Sequence, residues 1–377
     1  MPAQFLSGQV RLLIKRCRTL RENLRSLSHL PAELHSRTGG LDSLLSDTAD
    51  GLETLLTDPD FGAPQLLKNH FDDYRRFAEL VDVLESHPLA LLDHYNDKDH
   101  RLFRVSSLLC QQVGYPYPPP LLCAHSNQYF YSMPATNLIG LPLCEGQFLL
   151  ALPDLAHELG HVFFSNNRDW LRGPFGEAVR RYISDEKRRV ADEARSEAYQ
   201  RQFDLLERAW LQWYATEFAC DMFATYLVGP AYGWSHWRLV ITSRTNIYQP
   251  GFGKAERHPA DEARMRGILH VLRRLNDSTS EEAIRNKWGE FKGVVGDVPE
   301  AEYDYCYPDL LLTQLREHLI AAVGNHGLIP YSQQPQSGEN LVTTMQEAWR
   351  EFHADASRYP DWETQKIGEL SALLARI

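Results

Sequence analysis

Residues 153–164 read PDLAHELGHVFF, and this stretch decides how the rest of the sequence is interpreted. We predict that it forms a helix. Residues four apart lie on one face of a helix, so His157 and His161 can present their imidazoles to a single metal ion. Glu158 then lies beside the position of that ion left to water. Because so short a motif also arises by chance, the assignment needs further ligands elsewhere in the chain.

A second stretch places two acids in apolar surroundings. Residues 209–224 read AWLQWYATEFACDMFA, in which Glu217 and Asp221 are four residues apart. An ionised carboxylate among core residues is costly unless it is paired or binds a metal ion. Glu193 and Glu197 are alternative ligands, but they lie in a highly charged segment, where a solvated surface role is preferred.

The order HExxH followed by ExxxD resembles the gluzincin zinc metallopeptidases. The resemblance implies a zincin-like domain and one Zn²⁺ ion per chain, bound by His157, His161 and Glu217. It also implies that Asp221 hydrogen-bonds a ligating histidine and fixes its ring, and that Glu158 is the general base. The metzincins are excluded, because the glycine and the third histidine of their motif are missing after the second histidine.

A His-Pro pair at residues 258–259, followed by Arg264, adds a weaker similarity to soluble relatives of the CAAX-protease and heat-shock membrane peptidase family. This similarity covers short islands between residues 150 and 270. It implies a catalytic role for His258, as a donor to the oxygen that gains negative charge during hydrolysis. In the alternative interpretation, His258 only flanks the helix that Pro259 opens. Three further residues are substitute donors: Tyr232, His236 and Tyr248.

Composition indicates a globular protein of one or two domains. Of the 377 residues, 43% are hydrophobic and 24% charged, which allows a sizeable core. The net charge of -11 argues against nucleic acid as a partner, since phosphate contacts need clustered positive charge. The 6 cysteines include no CxxC pair, which indicates reduced thiols. The sequence has neither a signal-peptide pattern nor a long apolar span, so we expect a cytoplasmic protein without a membrane span.

The first 115 residues are predicted to form a helical bundle. Apolar residues recur at helical spacing over residues 5–30, and further helices are predicted over 42–57, 64–86 and 98–113. Breakers at Gly39–Gly40, Pro59 to Pro64 and Pro88 separate them. The first helix is basic and amphipathic. It is either a docking surface for an acidic partner or a membrane, or the solvated outer face of the bundle, which is preferred because more helices follow.

The proline-rich segment at residues 114–120 cannot continue a helix, and we place the domain boundary there. Residues 116–377 then form the zincin-like catalytic domain, and helices within 280–377 pack on it or on both domains. Short strands are predicted over 128–133 and 136–141. They form either a structural hairpin or an open sheet edge that adds an extended peptide as a further strand.

Helix bounds follow from the breakers. The motif helix is expected to begin between Glu145 and Pro153 and to end at 165–167. Residues 177–228 contain neither proline nor glycine and are predicted to be helical, with a bend. The part from about 177 to 205 is polar nearly all round, so it is an exposed arm or a lid over the cleft. Helices are also predicted over three C-terminal ranges: 303–323, 341–356 and 362–374.

Together these features predict a predominantly α-helical α+β protein that hydrolyses peptide bonds with one zinc ion and takes a peptide or protein as substrate. A different class of function is also open. The chain could instead be a catalytically latent or inactive zincin-fold protein. It would then act as a helical interaction or regulatory module through its N-terminal helices or through residues 177–205.

Overall fold

The protein is predominantly α-helical and carries one small sheet, which confirms the α+β class. A computed structural model of the chain describes residues 2–126, 129–142, 148–167, 169, 173–191, 196–242, 246–249, 258–336 and 339–376. By the contacts between residues, the chain divides into two compact units, Met1–His100 and Arg101–Ile377.

The first unit is a helical bundle. Its helices are α1 (Pro2–Ser26), α2 (His35–Thr57), α3 (Leu67–Leu84) and the short α4 (Ala90–Asp93), and α5 (Asp97–Gln112) begins at its end. The first three helices pack against one another. Gly39 and Gly40 lie inside α2, so the breaker predicted there is wrong. Two glycines lower the helix propensity, but burial of the apolar side chains of α2 outweighs that local cost.

The apolar stripe of α1 faces inward. Leu6, Val10, Leu13 and Cys17 are buried together with Leu52 of α2. The basic residues of α1 form ion pairs with acids of the neighbouring helices: Arg16 with Asp82 and Glu85, Arg18 with Glu53, and Arg21 with Asp42. These contacts agree with the interpretation of α1 as an outer helix of the bundle.

The division between the units lies upstream of the proline-rich segment at which the sequence places it. Leu102, Val105 and Leu109 of α5 are buried in the core of the second unit. A helix belongs to the core that covers its apolar face, whatever the chain does next. The residues that follow His100 therefore group with the second unit.

The second unit contains the sheet. Its strands are β1 (Leu121–Ser126), β2 (Tyr131–Met133) and β3 (Leu138–Pro142), arranged β1-β3-β2. The structure confirms β2 and β3 as predicted strands, whereas β1 has no counterpart in the prediction. β3 pairs with β1 in parallel and with β2 in antiparallel fashion. β3 is therefore the central strand, so the open sheet edge that the sequence offers as one alternative does not lie at β3. Among the described strands, β2 is the outer one on that side.

Helices make up most of the rest of the second unit. They are α6 (Pro153–Asn166), α7 (Pro174–Arg189), α8 (Ser196–Ala209), α9 (Ala215–Val228), α10 (Pro230–Thr242), α11 (Asp261–Arg274), α12 (Ser278–Val295), α13 (Tyr303–Cys306), α14 (Asp309–Asn325), α15 (Leu341–Ala354) and α16 (Tyr359–Leu374). A wide π-type turn, Trp210–Tyr214, joins α8 to α9. The structure confirms the helix predicted at the motif and the helices predicted over 341–356 and 362–374. The single helix predicted over 303–323 is wrong: it is divided into α13 and α14 at Tyr307–Pro308, because a proline cannot continue the preceding helix. No described helix has the length and apolarity needed to cross a membrane.

The segment predicted to be a polar arm is two amphipathic helices. Phe175, Val179 and Ile183 of α7 are buried in the core, and so is Phe203 of α8. These apolar residues are few and lie between many charged ones, so the sequence pattern does not indicate a buried face. α7 and α8 are thus packed elements, with solvated outer faces.

Gly229 allows two helices to follow each other directly. Its φ of 66° lies in the left-handed region, which a glycine adopts without steric cost. α9 therefore ends at Val228 and α10 begins at Pro230. The sequence indicates the end of α9 correctly but not the existence of α10.

Gly160 sets the distance between α6 and α9. A Cβ atom at this position would lie 3.1 Å from the Cα and 3.1 Å from the Sγ of Cys220. The two helices pack extensively against each other, and this contact lies between His157 and His161 on one helix and between Glu217 and Asp221 on the other. The backbone approach therefore brings both sequence motifs face to face.

We expect Gly160→Val to destabilise the second unit, because its branched side chain must push α6 away from α9. Overpacking of this kind costs about 1–3 kcal/mol. The free energy of unfolding is measured by urea denaturation. The matched control is Gly289→Val in α12, where a Cβ meets nothing within 4 Å, and this variant should be as stable as the wild type. Equal stability of the two variants would contradict the close approach.

Candidate metal centre

α6 brings the two histidines of the motif together. The Nε2 atoms of His157 and His161 are 3.2 Å apart. His157 and Glu158 are buried, and His161 is half-buried. One ligand atom from each of these three residues lies within 4.8 Å of the other two, so the group could hold a metal ion.

The carboxylate of Glu217 on α9 faces the same space. Its Oε2 is 3.6 Å from Nε2 of His157, and its Oε1 is 3.6 Å from Nε2 of His161. These distances exceed a hydrogen bond but leave both nitrogens and the carboxylate directed at a common point. The acid predicted from the sequence as third ligand is therefore next to both histidines.

Asp221 lies one turn further along α9 and contacts the opposite side of His157. Its Oδ1 is 2.9 Å from Nδ1 of His157 and accepts a 2.5 Å hydrogen bond from the Tyr232 hydroxyl. Arg264 of α11 donates from Nε to Oδ2 at 2.8 Å and from a terminal nitrogen to Oδ1 at 2.7 Å. Asp221 and Arg264 are both buried, so four elements of the core meet at one carboxylate.

This arrangement fixes the tautomer of His157. A carboxylate only accepts hydrogen bonds, so the hydrogen of neutral His157 is on Nδ1, and its Nε2 carries a lone pair. That lone pair points towards Nε2 of His161 and the carboxylate of Glu217. Acceptors that face one another in this way are stabilised by a proton or a cation placed between them.

The pKa shifts show how strongly these groups interact. Burial lowers the pKa of His157, but the hydrogen bond with Asp221 and the nearby carboxylate of Glu217 outweigh it and raise the pKa to about 10. Burial raises the pKa of Asp221, but the charge and hydrogen bonds of Arg264 hold it well below its ordinary value. Burial lowers the pKa of His161 and outweighs the nearby carboxylates of Glu217 and Glu158, which raise it. The pocket therefore favours positive charge at His157.

The local charges point the same way. Glu158, Glu217 and Asp221 contribute three carboxylates, and Arg264 contributes one guanidinium, which is hydrogen-bonded to Asp221. With neutral imidazoles, three negative charges against one positive leave two uncompensated. A divalent cation between the imidazoles and Glu217 would balance them, so the residues present fit a metal ion.

A cleft of about 460 Å³ opens beside the centre. His157, Glu158 and His258 line it, together with Tyr129 and Asp154. Glu158 therefore faces a space that a substrate can enter, as its predicted role requires.

His258 lies at the centre, as one of the two interpretations expects. Its Nδ1 is 3.1 Å from Oε2 of Glu217, and 67% of its side chain is exposed. It precedes α11, which begins at Asp261 rather than at Pro259. His258 is thus near both the candidate ligands and the cleft.

The three substitute donors have other positions. The Tyr232 hydroxyl contacts Asp221 and lies 3.0 Å from Nδ1 of His157, on the side away from the other histidine. His236 is buried, with Nε2 3.4 Å from the carbonyl oxygen of Asp261. The ring of Tyr248 packs edge-on against Tyr303. Of the three, Tyr232 lines the cleft, but its hydroxyl is committed to Asp221.

Of the two alternative third ligands, the one that the structure describes, Glu197, does not reach the centre. The side chain of Glu197 is 90% exposed and pairs with Arg201 at 3.4 Å. Glu193 lies outside the described residues. The part of α7 and α8 that the structure describes contributes no residue to the cleft.

Two features of the site were not predicted as functional. Arg264 appears in the sequence only as part of the His-Pro similarity, and its pairing with Asp221 joins residues that are 43 positions apart. Asp154 precedes the motif by one helical turn and lines the cleft with Tyr129. An acid within the apolar run of α6 is the signal that could have indicated Asp154.

Comparison of the chain with known protein families, with curated proteins and with solved structures gives no match.

We expect Arg264→Met to destabilise the second unit, because it leaves Asp221 as a buried charge without its guanidinium. Breaking one side of a buried pair costs about 3–5 kcal/mol. Urea denaturation measures the loss. The matched control is Arg274→Met on the same helix, whose 3.5 Å pair with Glu317 is half-exposed and is worth about 0–1 kcal/mol. Similar losses in both variants would show that Asp221 does not depend on Arg264.

Proposed function

We propose that the protein is a zinc-dependent peptidase in which His157, His161 and Glu217 bind the ion. One observation carries the proposal: the two Nε2 atoms, 3.2 Å apart, face each other and the Glu217 carboxylate, while Nδ1 of His157 is held by Asp221. Two imidazoles and one carboxylate are a frequent ligand set for catalytic zinc, which leaves one position for water or substrate.

Asp221 supports the proposed ligand set. A histidine that donates its second ring nitrogen to a carboxylate is a more basic ligand with a fixed ring orientation. Tyr232 and Arg264 in turn hold the carboxylate with hydrogen bonds of 2.5 and 2.7 Å. His157 is therefore oriented before any ion or substrate binds.

Zinc, when bound, polarises a substrate carbonyl and lowers the pKa of water toward about 7. Glu158 is proposed to take the proton of the attacking water and to deliver it to the leaving amine. It is adjacent to His157 in the chain and lines the cleft. The proton ends on the amine product, so Glu158 returns to its starting state.

His258 is the proposed donor to the carbonyl oxygen as that oxygen gains negative charge. Its Nδ1 lies 3.1 Å from Oε2 of Glu217, which leaves Nε2 as the ring nitrogen available to the substrate. Preorganised donors of this kind are worth on the order of a hundredfold in rate or more.

The sheet offers a place for an extended peptide. Among the described strands, β2 lies at the edge of the sheet, and the residues directly before it, Tyr129 and Phe130, line the cleft. A peptide that extends along this end of the sheet would lie close to Glu158. The proposed substrate is accordingly a peptide or an extended protein segment.

We expect Glu158→Gln to retain zinc and to lose at least about a hundredfold of the peptidase activity, because an amide cannot accept the proton. Cleavage of a broad peptide library and zinc per chain are measured side by side. The control is Glu197→Gln, an exposed acid in α8, which should keep both properties.

Two outcomes of this comparison speak against the proposal. Normal turnover by Glu158→Gln would show that Glu158 is not the general base. Absence of chelator-sensitive cleavage by the wild-type protein, at full zinc content, favours an interaction module in which the metal is structural.

A further inference from the structure

Asp154 is a buried acid of the cleft that the proposed chemistry does not use. It lies in the first turn of α6, four residues before Glu158, and is 6% exposed. Its Oδ2 accepts a 2.5 Å hydrogen bond from the Tyr129 hydroxyl and a 2.9 Å hydrogen bond from the Ser235 hydroxyl. Both donors are neutral.

Within the described part of the chain, no cation forms an ion pair with Asp154, and no donor contacts its Oδ1. Arg238 is one hydrogen bond away: it donates to the Tyr129 hydroxyl at 2.8 Å. Arg264, which also lines the cleft, is committed to both oxygens of Asp221. The carboxylate therefore has one oxygen held in place and a second that can accept a ligand.

Hydrogen bonding alone does not require a charge at this position. An amide oxygen accepts the same two hydroxyl hydrogen bonds as a carboxylate oxygen. Burial raises the pKa of Asp154 to about 6 despite these bonds. The pKa is higher in the folded than in the unfolded chain, so this group reduces stability progressively as pH rises from about 4 to 6. The ionised form is thus costly until a cation approaches it.

The surroundings of Asp154 favour a long cationic side chain. Glu158 and Asp261 add negative charge to the same cleft. Phe130, Leu239 and Val240 add apolar wall against which a methylene stem can pack while its charged end reaches the acid. Four residues span about 6 Å along a helix, so a group bound to Asp154 lies one helical turn from the proposed base.

We infer that Asp154 selects substrates with a lysine or arginine side chain next to the cleaved bond. The ammonium or guanidinium donates to Oδ1, while Tyr129 and Ser235 hold Oδ2. Calling the ligand a substrate rests on the proposed peptidase function, but the binding site for the cation does not. A free amino terminus offers the same ammonium, and the experiment separates the two sources.

Binding tests the site without any cleavage. The zinc-loaded Glu158→Gln protein is titrated with three probes: Nα-acetyl-lysine amide, Nα-acetyl-norleucine amide and norleucine amide. These carry a side-chain ammonium, no cation and an α-ammonium, respectively. The inference predicts that the lysine probe binds at least about thirtyfold more tightly than the acetylated norleucine probe, as for a buried charge pair. Equal binding of these two probes overturns the inference. Preferential binding of norleucine amide also overturns it, because it would show that the site binds the amino terminus of a peptide and not a cationic side chain.

Variants locate the preference. Asp154→Asn, placed in the same Glu158→Gln protein, should remove the advantage of the lysine probe. Asp261→Asn takes one charge from the same cleft and should keep that advantage. Equal loss in both variants would show a general field of the cleft and no site at Asp154. Because Asp154→Asn removes a buried charge, its thermal midpoint at pH 7.5 should be no lower than that of its parent.

Cleavage gives a separate readout in the protein with Glu158 intact. Paired peptide pools that differ only in lysine or norleucine at one fixed position should differ in kcat/KM in the same direction as the probes differ in binding. Cleavage without a preference for lysine overturns the inference and leaves the peptidase proposal standing. Selective binding of the lysine probe without cleavage of any pool supports the cation site at Asp154 and contradicts the peptidase proposal.

Discussion

The buried pair of Asp221 and Arg264 is the interaction on which the rest of the centre depends. One carboxylate joins α9 to α11 through Arg264, to α10 through Tyr232 and to α6 through His157. A charge without water or a counter-ion is unstable in a core, so each partner keeps the others in position. The orientation of His157 is a consequence of this pairing.

The close approach of α6 and α9 converts that orientation into a site. Gly160 lets the helices approach until His157 and His161 share a space with Glu217. The same packing concentrates carboxylates in a place of low solvent access, which is unfavourable for an empty pocket and favourable for a bound cation. The features that cost stability and those that would bind a metal ion are the same ones.

Local patterns account for most of what the sequence predicts correctly. The histidines of α6 and the acids of α9 are each four residues apart, a spacing that a helix converts directly into neighbours. Some breakers mark helix ends, such as Gly229 after α9, but Gly39–Gly40 lies inside α2 and Pro88 lies inside the π-type turn that joins α3 to α4. Packing overrides propensity at these positions. The pairing of Arg264 with Asp221, the hydroxyls that hold Asp154 and the central place of β3 depend on contacts between distant parts of the chain. No local pattern encodes such contacts, and these features were found only in the structure.

The central claim is that the histidines and Glu217 form one zinc site. X-ray absorption at the zinc edge, on the protein loaded with one equivalent of zinc, tests it most directly. We predict a shell of two imidazole nitrogens with oxygen donors at about 2.0–2.2 Å and no sulfur. A protein that retains no zinc, or a shell with sulfur at about 2.3 Å, for example from the nearby Cys220, would contradict the account.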